Sequence, residues 1–242
     1  MEKHAGLPSW VPNWRCEINR SFAWLRDEEK KPLFKASANL EVELVEEEND
    51  RVLAIMRYKV DEVEEVRGPW NVDVTGETYR FPHETYINYL SQVGQFCLIS
   101  KAKDANIYRD SERRDETVWW VPVGDLEQDE TFLPYHGMAN LDEYKKRVAE
   151  IGAMGDMASG YRTRMWEMKG KRPFISTIGY VGMGPSYTST GDIIVVLAGA
   201  SIPFIIRPLG EGKYRFLGQC YCDGIMEGEI VTEDRRENIV LI

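Results

Sequence analysis

Across residues 41–58 apolar and acidic side chains alternate. Val42 and Leu44 fall between Glu41, Glu43 and Glu46, and after residues 47–50 (EEND) the alternation resumes through Val52, Ala54, Met56 and Tyr58. A period of two places the apolar side chains on one face of a strand, so the stretch predicts a β-hairpin. Val60, Val63 and Val66 are spaced by three instead. The second strand is therefore expected to end there in a turn of helix or a bulge.

From residue 83 to residue 100 the period becomes helical. Tyr86, Tyr89, Leu90, Val93, Phe96, Cys97 and Ile99 share one side, and Pro82 stands just ahead of them, where a helix can start. The polar run 101–116 reads as a loop, and residues 117–121 (TVWWV) are too apolar to be left in water, so they are buried or cover a site. A second helix is expected from Asn140, which can cap it while Glu143 completes a capping box. Its stripe of Leu141, Tyr144, Val148, Ile151 and Met154 continues through Met157, Ala158, Tyr161 and Met165 and reads as core, with Gly152, Gly155 and Gly160 marking a break or a close helix crossing.

After Gly170 the pattern changes to short strands, expected at 174–177, 180–183, 192–197, 204–207 and 214–221, with 210–212 (GEG) as a hairpin turn. Five strands so close together close most easily into a small barrel. The run 193–197 (IIVVL) is apolar at every position, which predicts a strand buried on both faces, with the two helices as the cover. At the other end of the chain, Pro8 and Pro12 flank Trp10 and favour an extended strap whose tryptophans pack onto the body. The expected fold is α+β: a small, mostly antiparallel β-barrel with a helical insertion. It forms a single domain over 1–242, with strap and link at 1–31, barrel strands at 32–68 and 172–232, and the insertion at 69–171.

Composition narrows the partners. Forty acidic against 30 basic side chains give a formal net charge of −10, which repels a phosphate backbone or an anionic lipid surface, so nucleic acid and membrane are not expected partners. No apolar run resembles a signal peptide or reaches spanning length, and the expected location is cytoplasmic. The four cysteines, Cys16, Cys97, Cys220 and Cys222, are too few and too uneven for a disulfide framework and read as reduced thiols. Cys220 and Cys222 lack a second Cys or His pair to complete a zinc site, so neither metal nor cofactor is expected.

The candidate chemistry is sparse. The glycines of 179–185 (GYVGMGP) are followed by proline rather than by a helix N-terminus, so they read as turn and bulge residues and not as a phosphate loop. Asp192 after Gly191 reads as a turn anchor. Asp223 and Glu227, with Glu229, could divide acid and base roles or simply solvate the rim of the barrel. Arg207, between Ile206 and Pro208, needs a carboxylate or a ligand anion, and pairing with one of those three acids is the simplest expectation. His136 lies in residues 133–137 (LPYHG), a stretch suited to a lid. Arg207, Asp223, His136 and Glu227 are thus the catalytic candidates. Trp119, Trp120, Tyr135, Tyr161, Trp166 and Tyr221 are the aromatic residues that could wall an apolar pocket.

Four stretches, 172–185 (RPFISTIGYVGMGP), 191–200 (GDIIVVLAGA), 203–208 (PFIIRP) and 214–229 (YRFLGQCYCDGIMEGE), together resemble the C-terminal tail of fungal heterokaryon-incompatibility (HET) proteins. Residues 7–12 (LPSWVP) resemble the segment just after the HET domain of that family, and 51–61 (RVLAIMRYKVD) its first barrel hairpin. The resemblance implies a barrel-forming region without the preceding HET domain, which the family associates with cell death on meeting a genetically different partner. It also implies a longer basic-aromatic helical region between hairpin and final strands than the one present here.

Two functions are compatible with this reading. In the first, the barrel binds a small organic ligand and is, if an enzyme, a cofactor-independent acid–base cyclase, isomerase or lyase of fungal secondary metabolism. In the second, it is a non-enzymatic interaction or regulatory module that recognises a protein partner in heterokaryon incompatibility.

Overall fold

The computed structural model describes residues 7–12, 31–45, 52–70, 83–103, 111–128, 134–136, 164–165 and 167–242. In chain order the elements are β1 (Leu44–Val45), β2 (Leu53–Val66), α1 (His83–Ala102), α2 (Ser111–Trp120), β3 (Leu126–Gln128), β4 (Pro134–His136), β5 (Lys171–Ser176), β6 (Val181–Pro185), β7 (Ile193–Leu197), β8 (Phe204–Gly210), β9 (Lys213–Gln219), β10 (Tyr221–Cys222) and β11 (Arg236–Leu241). Eleven strands against two α-helices make the described part mostly β. The second expected helix, starting at Asn140, lies outside the described residues over nearly all its length.

The 14-residue strand β2 organises the sheet. At Arg57 and Tyr58 it pairs antiparallel with β11 on one edge and with β7 on the other. Its later residues, Val63, Glu65 and Val66, pair with β5. The threefold valine spacing appears as register shifts between Lys59 and Asp61 and between Val63 and Glu65, and the strand passes through them instead of ending. A bulge adds twist and lets one long strand serve two sets of neighbours.

The pairings β2–β11, β11–β9, β9–β8, β8–β7 and β7–β2 form a closed circuit of five strands, all antiparallel except β11–β9. β5, β6 and β10 lie outside it, as a separate run extending from β2. This corrects the expected arrangement, in which all the strands after residue 172 joined one barrel. The circuit also requires β11, which was not expected: Arg236, Glu237 and Asn238 hide its strand character, and only Ile239 and Leu241 show the alternation.

Ile193, Val195 and Leu197 pack with Ile55, Ile206, Ile239 and Leu241, with Trp10, Tyr214 and Phe216 against them. Ile194 and Val196 face a different cluster that includes Met56, Tyr58, Val60, Ile205 and Leu217. Period-two alternation thus sends β7 into two apolar layers, and its burial on both faces stands. Among the described residues neither α1 nor α2 joins these two layers, and the second helix expected as cover lies outside them. α1 lies against β5 and β6, and residues of α1 and α2 form a third cluster with Trp70, Met165, Val181, Met183 and Tyr221.

α2 itself was expected as loop up to residue 116. Its first six residues, SERRDE, carry no apolar period, but Glu and Arg are good helix formers and the apolar turn at its end docks into the core. The expected hairpin at 210–212 joins β8 to β9, with Gly210, Glu211 and Gly212 all at positive φ.

The start and return of the insertion are side by side. Val66 pairs with Phe174, Trp70 N–H donates to the Lys171 carbonyl at 2.7 Å, and Gly170 N–H donates to the Trp70 carbonyl at 2.8 Å.

Candidate functional site

β10 pairs with β6 through Tyr221 and Cys222, and the chain then turns at Gly224, whose φ is 85°. Between strand and turn stands Asp223, fully buried, its N–H donating to the Val181 carbonyl at 3.0 Å. Its Oδ1 accepts the Tyr221 hydroxyl at 2.6 Å, and its Oδ2 accepts the Thr117 hydroxyl of α2 at 2.8 Å. Tyr221 and Thr117 are buried as well. Hydrogen bonds to a charged acceptor are short and strong, and they are what makes a carboxylate tolerable in a core. The arrangement fastens α2 to β10.

Trp120, one helical turn beyond Thr117, is buried in the same apolar cluster as Tyr221, and the Tyr221 ring lies 6.2 Å from that of Phe34. Of the six pocket candidates the structure brings Trp120 and Tyr221 into one packed core. Trp119 is half-buried at the end of α2. The side chains of Tyr135 and His136, on β4, and all of Tyr161 and Trp166 lie outside the described residues.

Arg207 is held elsewhere. Its Nε donates to Asp192 Oδ1 at 2.7 Å, and its Nη2 donates to Asp192 Oδ2 at 2.9 Å and to the Tyr187 carbonyl at 2.9 Å. Buried Asp192 also accepts the Ser189 N–H at 2.8 Å, anchoring its own turn. The partner of Arg207 is thus Asp192 and not, as expected, Asp223, Glu227 or Glu229. The bidentate fork fits a planar guanidinium, and the hydrogen bonds to Asp192 push the Arg207 pKa upward. Glu227 is exposed, and its N–H donates to Glu229 Oε2 at 2.7 Å. Asp223 and Glu227, which could have divided acid and base roles or solvated the rim together, are parted: Asp223 is buried in the core and Glu227 is at the surface.

Among the described residues the thiols offer no nucleophile. Cys97, Cys220 and Cys222 are free and buried. Burial, aided by the charge of Asp223, pushes Cys97 up to about 12, and burial raises Cys220 and Cys222 further. Among the described residues no group of three His, Cys, Asp or Glu side chains could hold a metal ion, and no helix is long and apolar enough to cross a membrane.

Sequence reasoning missed Arg57. Its side chain is only 2% exposed, yet Nε and Nη2 donate to Glu237 Oε2 at 3.1 and 2.6 Å, Nη2 donates to the Tyr214 hydroxyl at 3.1 Å, and the guanidinium carbon lies 4.7 Å from the Tyr214 ring centre. The signal was its place in the hairpin alternation, on the face opposite Met56 and Tyr58. That face reads as solvent unless a second apolar layer is foreseen.

The chain is 26% identical over 278 aligned residues to "Heterokaryon incompatibility protein 6, OR allele" of Neurospora crassa. That match covers 98% of this chain and 40% of the relative, so the chain spans well under half the relative's length. No solved structure matches it. The family model of the Het-6 beta-barrel domain matches residues 50–151 and 127–242, and the chain belongs to the Het-6 beta-barrel domain family.

Proposed function

We propose that this chain is a non-enzymatic recognition or regulatory module of fungal heterokaryon incompatibility, acting on a protein partner. The observation that carries the reading is the commitment of the two most deeply buried acids among the described residues: Asp223 accepts the hydroxyls of Tyr221 and Thr117, and Asp192 holds Arg207. An acid–base catalyst needs a titratable group within reach of substrate, and these groups instead join elements of the fold. Similarity to a protein named for heterokaryon incompatibility supports the same direction.

The test compares two assays. Fungal strains differing only in their allele of the full-length gene are fused, and death of the fusion cells is scored with a vital dye. Allele-dependent death that persists in the Arg207→Gln variant is the expected result. The purified chain is also incubated with a small-molecule extract of hyphae, and consumption of any compound, abolished in the same variant, would overturn the reading in favour of an enzyme.

A further inference from the structure

We propose that residues 40–45 form a docking edge for an extended segment of a partner protein that alternates apolar and basic side chains. The inference rests on the recognition reading above and names the surface that would carry it. Leu40, Val42 and Leu44 are 37%, 61% and 58% exposed. They are spaced by two, so an extended chain presents them on one side, with exposed Glu41 and Glu43 between them. Three adjacent exposed aliphatic side chains form a patch and not the scatter of single residues that any surface shows.

The segment is already ordered. Its approach is fixed by Ala36 N–H donating to the Ser201 carbonyl at 3.1 Å, Ser37 N–H to the Ala200 carbonyl at 3.2 Å and Leu40 N–H to the Ser37 carbonyl at 3.2 Å. Val42 then runs against Gly199, where an added Cβ would stand 2.7 Å from the Val42 nitrogen. Met56 N–H donates to the Glu43 carbonyl at 3.2 Å, and β1 completes the ladder to β2. Among the described residues β1 pairs with β2 alone. A partner strand adding to a preformed edge gains main-chain hydrogen bonds and side-chain contacts without bearing the entropy of ordering that edge.

Charge identifies the occupant. Between residues 41 and 50 stand six acids, Glu41, Glu43, Glu46, Glu47, Glu48 and Asp50, and no Lys or Arg, and although Arg236 of β11 meets Glu43 at 3.0 Å the segment keeps a strong excess of negative charge. A second copy of the chain would bring the same acids to the same edge and be repelled. A basic segment with apolar residues at alternate positions satisfies both features.

The experiment uses the full chain and a fluorescently labelled nine-residue peptide alternating lysine with valine or threonine, followed by anisotropy. A matched peptide with glutamate in place of lysine is the control. The lysine peptide is expected to bind, more weakly as salt rises, and the L40T/V42T/L44T triple variant to lose at least about tenfold in affinity. These positions are exposed and threonine keeps strand propensity, so an unchanged melting temperature verifies the fold. Equal binding of the glutamate peptide, unchanged affinity in the variant, no binding at all, or self-association abolished by the variant would each overturn the proposal. The two readings separate in the fusion assay: a response that survives the triple variant while the peptide fails to bind dismisses this edge and leaves the recognition role standing. Absence of any response from the unmodified allele removes the recognition role whatever the peptide does.

Discussion

Tyr221 and Asp223, two residues apart on either side of Cys222, are joined by a 2.6 Å hydrogen bond from the phenol to the carboxylate, and both are fully buried. Because Asp223 also accepts from Thr117, removing the acid strands two buried donors, whereas removing one donor strands a single lone pair. Asp223→Ala is expected to cost about 3 kcal/mol and Tyr221→Phe about 1–2 kcal/mol. Urea unfolding of both variants checks the order, and a Tyr221→Phe loss exceeding that of Asp223→Ala would reject the assignment of Asp223 as the hub.

Arg57 and Glu237 are joined across β2 and β11, the first buried and the second half exposed. One guanidinium nitrogen, Nη1, is buried without a hydrogen-bond partner. Glu237→Ala leaves the cation buried beside only the Tyr214 ring and hydroxyl, and it should destabilise by roughly 3 kcal/mol, while Arg57→Met, which removes the charge and keeps the volume, costs less. Thermal unfolding of the two variants side by side decides the matter. A larger loss for Arg57→Met would mean that the ion pair contributes net stability.

Burial lowers the Lys171 pKa to about 8 from an ordinary value of 10.5. The unfolded chain therefore holds this proton between about pH 8 and 10.5 while the folded chain has released it, and Lys171 makes stability rise with pH across that window. Cys97, pushed up to about 12 by burial first and Asp223 second, acts in the opposite sense above pH 9. The difference between the chain and its Lys171→Met variant isolates the lysine, and its stability advantage for the variant is expected to shrink steadily from pH 8 to pH 10.

Cys97, Cys220 and Cys222 share the barrier of burial. At pH 8 iodoacetamide is expected to leave all three unmodified in the folded chain and to alkylate them in urea, as peptide mass spectrometry would read out. Modification of any of them at a rate near that of a free thiol would place it in an accessible site.

Much of the β-structure was legible because alternation survives in β2, β7 and the β8–β9 hairpin. Turns with obligatory glycine were equally plain. What escaped was whatever depends on a distant partner. β11 begins with three polar residues and is a strand because β2 and β9 flank it; α2 opens on charge and is a helix because its last turn finds a core. The candidate site shows the same division. A need for a counter-ion at Arg207 could be read from its apolar neighbours, but the choice of Asp192 over Asp223 follows from the cross-strand contact of β7 with β8. Arg57 could not be recognised as buried until both faces of β2 were known to be covered.

The backbone bonds between Trp70 and residues 170–171 tie off the insertion at its base. A stem closed in this way fixes its two ends at one point whatever the length between them, and lengthening a closed segment adds only about 0.6 kcal/mol for each doubling. Residues can therefore be gained or lost in the connections above the stem while the register of β2 against β5 is kept, provided that α1 and α2 retain their packing on β5, β6 and β10.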